Sequence, residues 1–345
     1  QTFLEKKNWP VIGDGVLIRP GMNDSRLEAV RHRLELTEGG GSSAGPPDVY
    51  DDHLVAAVKI FQRKYGLEPD GIIGTNTRTA FNLTPSELIN VIRANMIRMH
   101  IQAHELGDTY VMVNIAGFTA DAVRNHKIAM QMPVIVGKLE HQTPVFSDKI
   151  SYLDFNPYWH IPTSIAMDEE LPALIKNPYH LVDQHIRLFA NRLDDAIELD
   201  STKVDWHKIS RTQMSRYQLR QDPGPWNALG RVKFVFPNHY SVYMHDTPAQ
   251  DLFLRSKRSF SHGCIRVSRP LALAEFVLNG QDGWDREALE RVAAEGKRKI
   301  ISLRRPVPIY ITYQTAWVDI TGSIRFNSDI YGRDAKLLQI FATGK

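Results

Sequence analysis

The chain has 345 residues, 43% hydrophobic and 23% charged, with a formal net charge of +3 and a single cysteine. That length and composition describe a folded protein of more than one domain. So mild a charge, without interleaved aromatic and basic residues, excludes a dedicated nucleic-acid groove and leaves only weak attraction to an anionic polymer open. One cysteine excludes an intramolecular disulfide and a cysteine-rich metal site. No run of eighteen apolar residues predicts a membrane span, and residues 1–10 lack the basic and apolar regions of a signal peptide, so the chain is expected to begin after one.

Residues 9–83 read as a small helical module. Asp24 is placed to cap a helix carrying Leu27, Val30 and Leu34 on one face, and Asp51 or Asp52 a second carrying Leu54, Val58, Phe61 and Tyr65. Between them, the Gly-, Ser- and Pro-rich stretch Glu38 to Pro47 is expected to be a mobile loop. The turn Gly66 to Gly74 precedes a short helix from Thr75 to Phe81. Thr84-Pro85-Ser86-Glu87 is a capping box with proline at the first helical position, opening a helix to about His104. His100 and His104 sit one turn apart with no acidic ligand nearby, and no metal site is expected there.

From Tyr110 the period changes to two, predicting strands at 110–115, Ile128 to Val136, Ser151 to Phe155, Val232 to Phe236 and Tyr240 to Asp246. Residues 166–230 interrupt the strands, with a helical pattern from Leu181 to Leu193 and then Trp206, Tyr217 and Trp226; a segment this long is either a functional loop or a structural subdomain. Beyond Cys264, Pro270 to Leu278 and Asp285 to Ala294 read as helices, Pro308 to Tyr313 as a strand, and Asp334 to Phe341 as a final helix.

The chain is organised around Ser261-His262-Gly263-Cys264-Ile265-Arg266-Val267. A thiol with an ordinary pKa near 8.5 is mostly protonated at neutral pH, so a nucleophilic cysteine needs a base or a positive field. His262 lies two residues before it, and His245, fifteen residues before Ser261, stands at the end of an alternating strand. The amides of Gly263 and Cys264 offer donors to a developing oxyanion. Against this, a free cysteine is often a buried apolar residue.

His245 followed by the Ser261 to Val267 motif resembles the signature of the L,D-transpeptidase (YkuD-type) catalytic domain, as do Asn156-Pro157-Tyr158-Trp159-His160-Ile161-Pro162 and the segment Met132 to Gly137. The run Val58-Lys59-Ile60-Phe61-Gln62 leading into Pro69-Asp70-Gly71-Ile72-Ile73-Gly74 resembles the helical peptidoglycan-binding domain. Together these imply a multidomain α+β chain: a three-helix peptidoglycan-binding-like domain over 9–83, a connecting helix over 84–107, and a mainly β catalytic domain over 108–345. The resemblance further implies a β-sandwich-like sheet system with the cysteine at its mouth and, as in the large Gram-negative periplasmic members, a helical insertion over 166–230 acting as a lid. It implies a periplasmic, cell-envelope location, and leaves open whether the helical module binds glycan or only scaffolds.

The reaction so implied is acyl transfer on peptidoglycan. Cys264 attacks the carbonyl of the third stem residue, usually diaminopimelate, of a donor tetrapeptide and expels the terminal D-alanine; an amine of the acceptor stem then resolves the thioester into a cross-link. His245 is assigned as general base, oriented by the carbonyl near Asp246, and His262 and Gly263 as shaping the thiolate field and oxyanion hole, with exchange of the two histidines left open. Arg266 either holds a stem carboxylate or braces the loop. Tyr243 shares a face with His245 and is expected to touch the donor or the oxyanion. Ser261 and Trp159 complete the expected substrate contacts, Trp159 being equally readable as core. No cofactor and no metal are expected; other wall synthases are expected partners, and carbapenems covalent inhibitors. Resolution by water or another amine would instead make a carboxypeptidase, a D-amino-acid exchanger or a hydrolase freeing a lipoprotein, and a non-catalytic wall-binding protein stands as the alternative from another class. A sortase fits less well, since its histidine, cysteine and arginine are arranged differently.

Overall fold

The computed structural model describes residues 9–38, 45–102, 106–193, 196–319 and 321–343. Residues 1–8, most of the Gly- and Ser-rich stretch and His104 therefore lie outside the described residues. The chain divides into two compact units.

The first unit comprises residues 1–106, 114–117 and 312–345. Its helices are α1 (Leu27–Glu38), α2 (Asp52–Lys64), α3 (Thr75–Phe81) and α4 (Pro85–Ile101). Asp51 caps α2, its carboxylate accepting the Leu54 N–H at 2.8 Å. Thr84 and Glu87 close the expected capping box at α4. Asp24 instead pairs with Arg26 just ahead of α1. Leu27, Val30, Leu34, Leu54, Val58, Phe61, Ile73 and Phe81 make one core, in which Phe61 stacks on Tyr65 and on Phe81 at 4.2 and 3.9 Å between centroids. Buried Gln62 pins the following turn, accepting from the Gly71 N–H and donating to the Ile72 carbonyl.

The carboxy-terminal residues also belong here, which differs from the expected 108–345 catalytic span. Ala316 and Phe326 complete the helical core, buried Asn95 on α4 bonds both the N–H and the hydroxyl of Thr315, and Arg98 pairs with Asp334 at 2.5 Å. Apolar burial and two satisfied polar groups thus bind residues 312–343 to the helices.

The second unit spans 107–113 and 118–311. Its main sheet is built from β1 (Thr109–Asn114), β2 (Thr119–Arg124), β3 (Lys127–Gly137), β4 (Phe146–Phe155), and, after an interruption, β9 (Val232–Val235), β10 (Met244–His245), β11 (Ser259–Ser261), β12 (Ile265–Val267) and β13 (Lys299–Thr312). The strand order is β11-β3-β12-β10-β9-β4-β13-β1-β2, and β2 returns to pair with β3, so one sheet closes on itself where two sheets of a sandwich were expected. Helices α8 (Pro270–Val277) and α9 (Arg286–Ala294), numbered after three helices of the interruption, follow β12.

The interruption has its own small sheet, β5-β8-β6-β7, from β5 (Trp159–His160), β6 (Ile186–Phe189), β7 (Glu198–Leu199) and β8 (Gln218–Gln221). Short helices accompany it: a turn Thr163–Ile165 runs through a π-helical stretch, Ala166–Glu170, into α5 (Leu171–Lys176), with α6 (His180–Asp183) and α7 (Arg211–Met214) beyond. The helix expected over 181–193 is thus only one turn. His185 takes a positive φ of 54° that ends it, and the alternating Ile186-Arg187-Leu188-Phe189 pairs with β8. Leu171, Leu174, Leu181, Ile186, Leu188, Trp206, Met214 and Leu219 bury one another as a separate core.

Candidate active site

β10 lies between β9 and β12, and its register fixes the site. His245 is opposite Lys233 of β9 and opposite Arg266 of β12. Because side chains alternate across a strand and register partners share a face, Lys233, Tyr243, His245, Cys264 and Arg266 all project from one face of the sheet. Contacts bear this out: the Tyr243 and His245 rings are 5.6 Å apart, and the Lys233 Nζ is 3.8 Å from the Tyr243 ring centroid; the Cys264 thiol itself donates to the Ser241 carbonyl at 3.9 Å.

The expected strand Tyr240 to Asp246 is shorter than its pattern. Asn238 bonds across the turn to Phe236 and Val242, and Ser241 takes a φ of 55°, so regular pairing begins at Met244.

His245 is buried, and its Nδ1 meets the Asp246 backbone carbonyl at 2.5 Å. This fixes the tautomer: Nδ1 carries the proton and Nε2 has the lone pair. Asp246 is held in turn by two backbone N–H donors, Arg231 at 2.9 Å and Thr247 at 2.7 Å. Gly230 (φ 61°) lets them pack, since a Cβ there would come within 2.4 Å of the Asp246 carboxyl. Burial first, then the nearby Arg266 charge, pushes the imidazole down to about 3.

Burial also pushes the Cys264 thiol up, while hydrogen bonds from Tyr243 and the charges of Lys233 and Arg266 pull the other way. Burial thus disfavours the charged form of both groups.

The motif loop is braced from within. Ser261 is buried, its hydroxyl donating to the Cys264 carbonyl at 2.5 Å and accepting the Gly263 N–H at 3.2 Å. The same bond occupies the Gly263 amide expected in the oxyanion hole, and Thr143 holds the Gly263 carbonyl at 2.9 Å. Gly263 has a φ of 108°, which favours glycine. Among the described residues the Cys264 amide has no hydrogen-bond partner.

His262 turns away from His245. Its Nε2 meets Glu169, on the π-helical stretch of the interruption, at 2.7 Å, and His141 lies 4.9 Å from its ring. Burial lowers its proton affinity, and the Glu169 charge opposes that. Trp159 lines a cavity with Arg266 and also packs against the core of the interruption. Sequence reasoning missed Lys233 and Glu169. A lysine alternating with Val232 and Phe234 was a readable signal that one strand face is polar; Glu169 gave none. Among the described residues no group of three His, Cys, Asp or Glu is placed to hold a metal ion, and no helix is long and apolar enough to cross a membrane.

Comparison with known proteins adds the family. Residues 27–81 match the family described as "Putative peptidoglycan binding domain". A curated Haemophilus influenzae protein named "Putative L,D-transpeptidase" is 31% identical over 227 residues, which is 66% of this chain and 45% of the relative, so the chain spans less than half of that protein's length. Similar solved structures include an L,D-transpeptidase from Mycobacterium smegmatis (13% identity, 59% of this chain and 58% of that one, TM-score 0.30) and residues 123–326 of an L,D-transpeptidase from Xylanimonas cellulosilytica (13% identity, 87% and 99%, TM-score 0.28). Residues 108–307, more than half of the chain and all of the sheet face just described, match the L,D-transpeptidase catalytic domain, and the chain belongs to that YkuD family.

Proposed function

We propose that this chain is a cysteine acyltransferase that cross-links peptidoglycan stems between third-position diaminopimelate residues. The observation that carries the reading is the shared sheet face of Cys264 and His245, with the His245 ring fixed on the Asp246 carbonyl so that Nε2 is the basic nitrogen. Cys264 attacks the carbonyl of the third residue of a donor tetrapeptide while its proton passes to His245. The unpartnered Cys264 amide and the Tyr243 hydroxyl meet the oxyanion. His245 then passes the proton to the departing D-alanine amine. The acceptor's side-chain amine then attacks the thioester, losing its proton to His245 and releasing Cys264. Carbapenems acylate the same thiol; a related L,D-transpeptidase has been solved in complex with imipenem.

In this reading the chain works in the periplasm, residues 9–83 engage the wall, and residues 166–230 cap the substrate over the catalytic sheet. Support for the cap is its independent core and the Glu169 contact to His262. Other wall synthases would supply the stems.

The test is to incubate the chain, and its Cys264→Ala variant, with disaccharide-tetrapeptide muropeptides and to analyse products by mass. A cross-linked dimer lacking one D-alanine, absent with the variant, is expected. Tripeptide monomer alone would replace the reading with a carboxypeptidase, and an unchanged substrate with unmodified Cys264 would leave only wall binding.

A further inference from the structure

A cavity of about 250 Å³ opens beside the catalytic face, walled by the interruption through Trp159, Glu170, His180, Gln221 and Trp226 and reaching Arg266. Its charged groups are not equivalent. Glu170 and His180 satisfy each other at 2.9 Å. Arg266 makes no hydrogen bond or ion pair among the described residues, and its Nε is buried without a partner. The carboxylate nearest it in charge, Glu169, is engaged by His262.

A guanidinium sunk in protein without a hydrogen-bonded partner is costly, and it is tolerated where a ligand completes it. Loop bracing does not account for Arg266, because the loop's own bonds run through Ser261 and Thr143. Arg266 is also the register partner of His245, two residues from Cys264, so an anion on it would sit within one residue's reach of the attacked carbonyl.

We propose that this cavity is a carboxylate subsite, in which Arg266 receives a free carboxylate of the stem peptide against walls supplied by residues 159–226. It rests on the acyl-transfer reading for the identity of the peptide and deepens it by naming what selects the donor. A planar guanidinium suits a carboxylate in bidentate geometry, and a neutral carboxamide would present N–H groups to N–H groups. A donor tetrapeptide offers three carboxylates: on D-glutamate, on the diaminopimelate side chain and on the terminal D-alanine.

The test is binding, measured calorimetrically on the full chain carrying Cys264→Ala, of the free tetrapeptide and of three versions in which one carboxylate at a time is a carboxamide. One amidation is expected to weaken binding about tenfold or more, a charge-assisted hydrogen bond being lost, and that amidation identifies the carboxylate. The penalty is expected to vanish when Arg266→Gln is added. Equal binding of all four peptides overturns the proposal without any Arg266 variant, as does a penalty that persists in Arg266→Gln or a tetrapeptide that does not bind. Turnover is separate: binding through Arg266 with no dimer from the unmodified enzyme would uphold the subsite and remove the transpeptidase reading.

Discussion

Glu169 and His262 form an ion-pair contact at 2.7 Å that ties the interruption to the loop carrying Cys264. The motif histidine two residues before Cys264 is therefore a partner of the inserted segment.

Removing that contact should slow catalysis without unfolding the sheet. Glu169→Ala is expected to lower kcat/KM about three- to tenfold, the range for a half-exposed charged hydrogen bond. Glu169→Gln, which keeps a hydrogen-bonding end, should lose less. Both remove the charge that favours protonated His262, so the inflection due to His262 in the pH profile of kcat/KM should move to lower pH. An unshifted profile would leave Glu169 with a packing role only.

Thiol reactivity should report on Lys233. Burial raises Cys264, while Tyr243 and the Lys233 charge lower it. In Lys233→Met and in Tyr243→Phe the pH at which iodoacetamide labels half-maximally fast should therefore rise, and labelling at pH 8 should slow a few-fold. Labelling rates equal to those of the parent chain would show that neither group acts on the thiol.

Acid stability follows from His245. Its folded value of about 3 lies below the ordinary 6.5, so the unfolded chain binds the extra proton between those values. The stability from neutral His245 is fully present above about pH 6.5 and is lost as the pH falls towards 3. His160 and His262 act in the same direction, and the raised Asp246 and Glu170 against it. The expected result is a weaker acid dependence of chemical-denaturation midpoints in His245→Gln than in the parent chain between pH 6.5 and 4. Superimposable curves would contradict a buried neutral imidazole.

The interruption should fail as a unit. Trp206 is buried among its apolar residues, with Nε1 donating to the Ser201 carbonyl at 2.9 Å. Trp206→Ala is expected to cost about 3–5 kcal/mol locally, and limited proteolysis should then cut within 166–230 while fragments of the main sheet survive. Cleavage spread evenly over the chain would mean that the segment has no separate stability.

The sheet face that brings Cys264, Tyr243 and His245 together was legible because each rests on a local pattern: alternation places His245 and Tyr243 on one face, and the Ser-His-Gly-Cys spacing marks the loop. The bracing by Ser261 was not legible because strand alternation does not describe a tight turn, where Gly263 at positive φ folds the chain so that the serine hydroxyl reaches its own loop. The inserted sheet was hidden for another reason. Its strands are two to four residues long, too short to distinguish alternation from helical periodicity, and β6 finds its partner β8 only after Trp206 and its neighbours have intervened. Glu169 meets His262 across a separation no local pattern encodes, and whether Arg266 braced or waited for an anion depended on which bonds the loop had already made.

Because Ala316 and Phe326 lie in the same core as Leu27 and Phe61, the core of the helical unit is built from residues at both ends of the chain, with most of the sheet spliced between them. Synthesis proceeds from the amino terminus, so the helices are made first and wait, with part of their core unfilled, until the hairpin of Ala316–Val318 and Ile324–Phe326 has been made. A chain stalled anywhere within the sheet would therefore present an unfinished apolar surface on the helices already made.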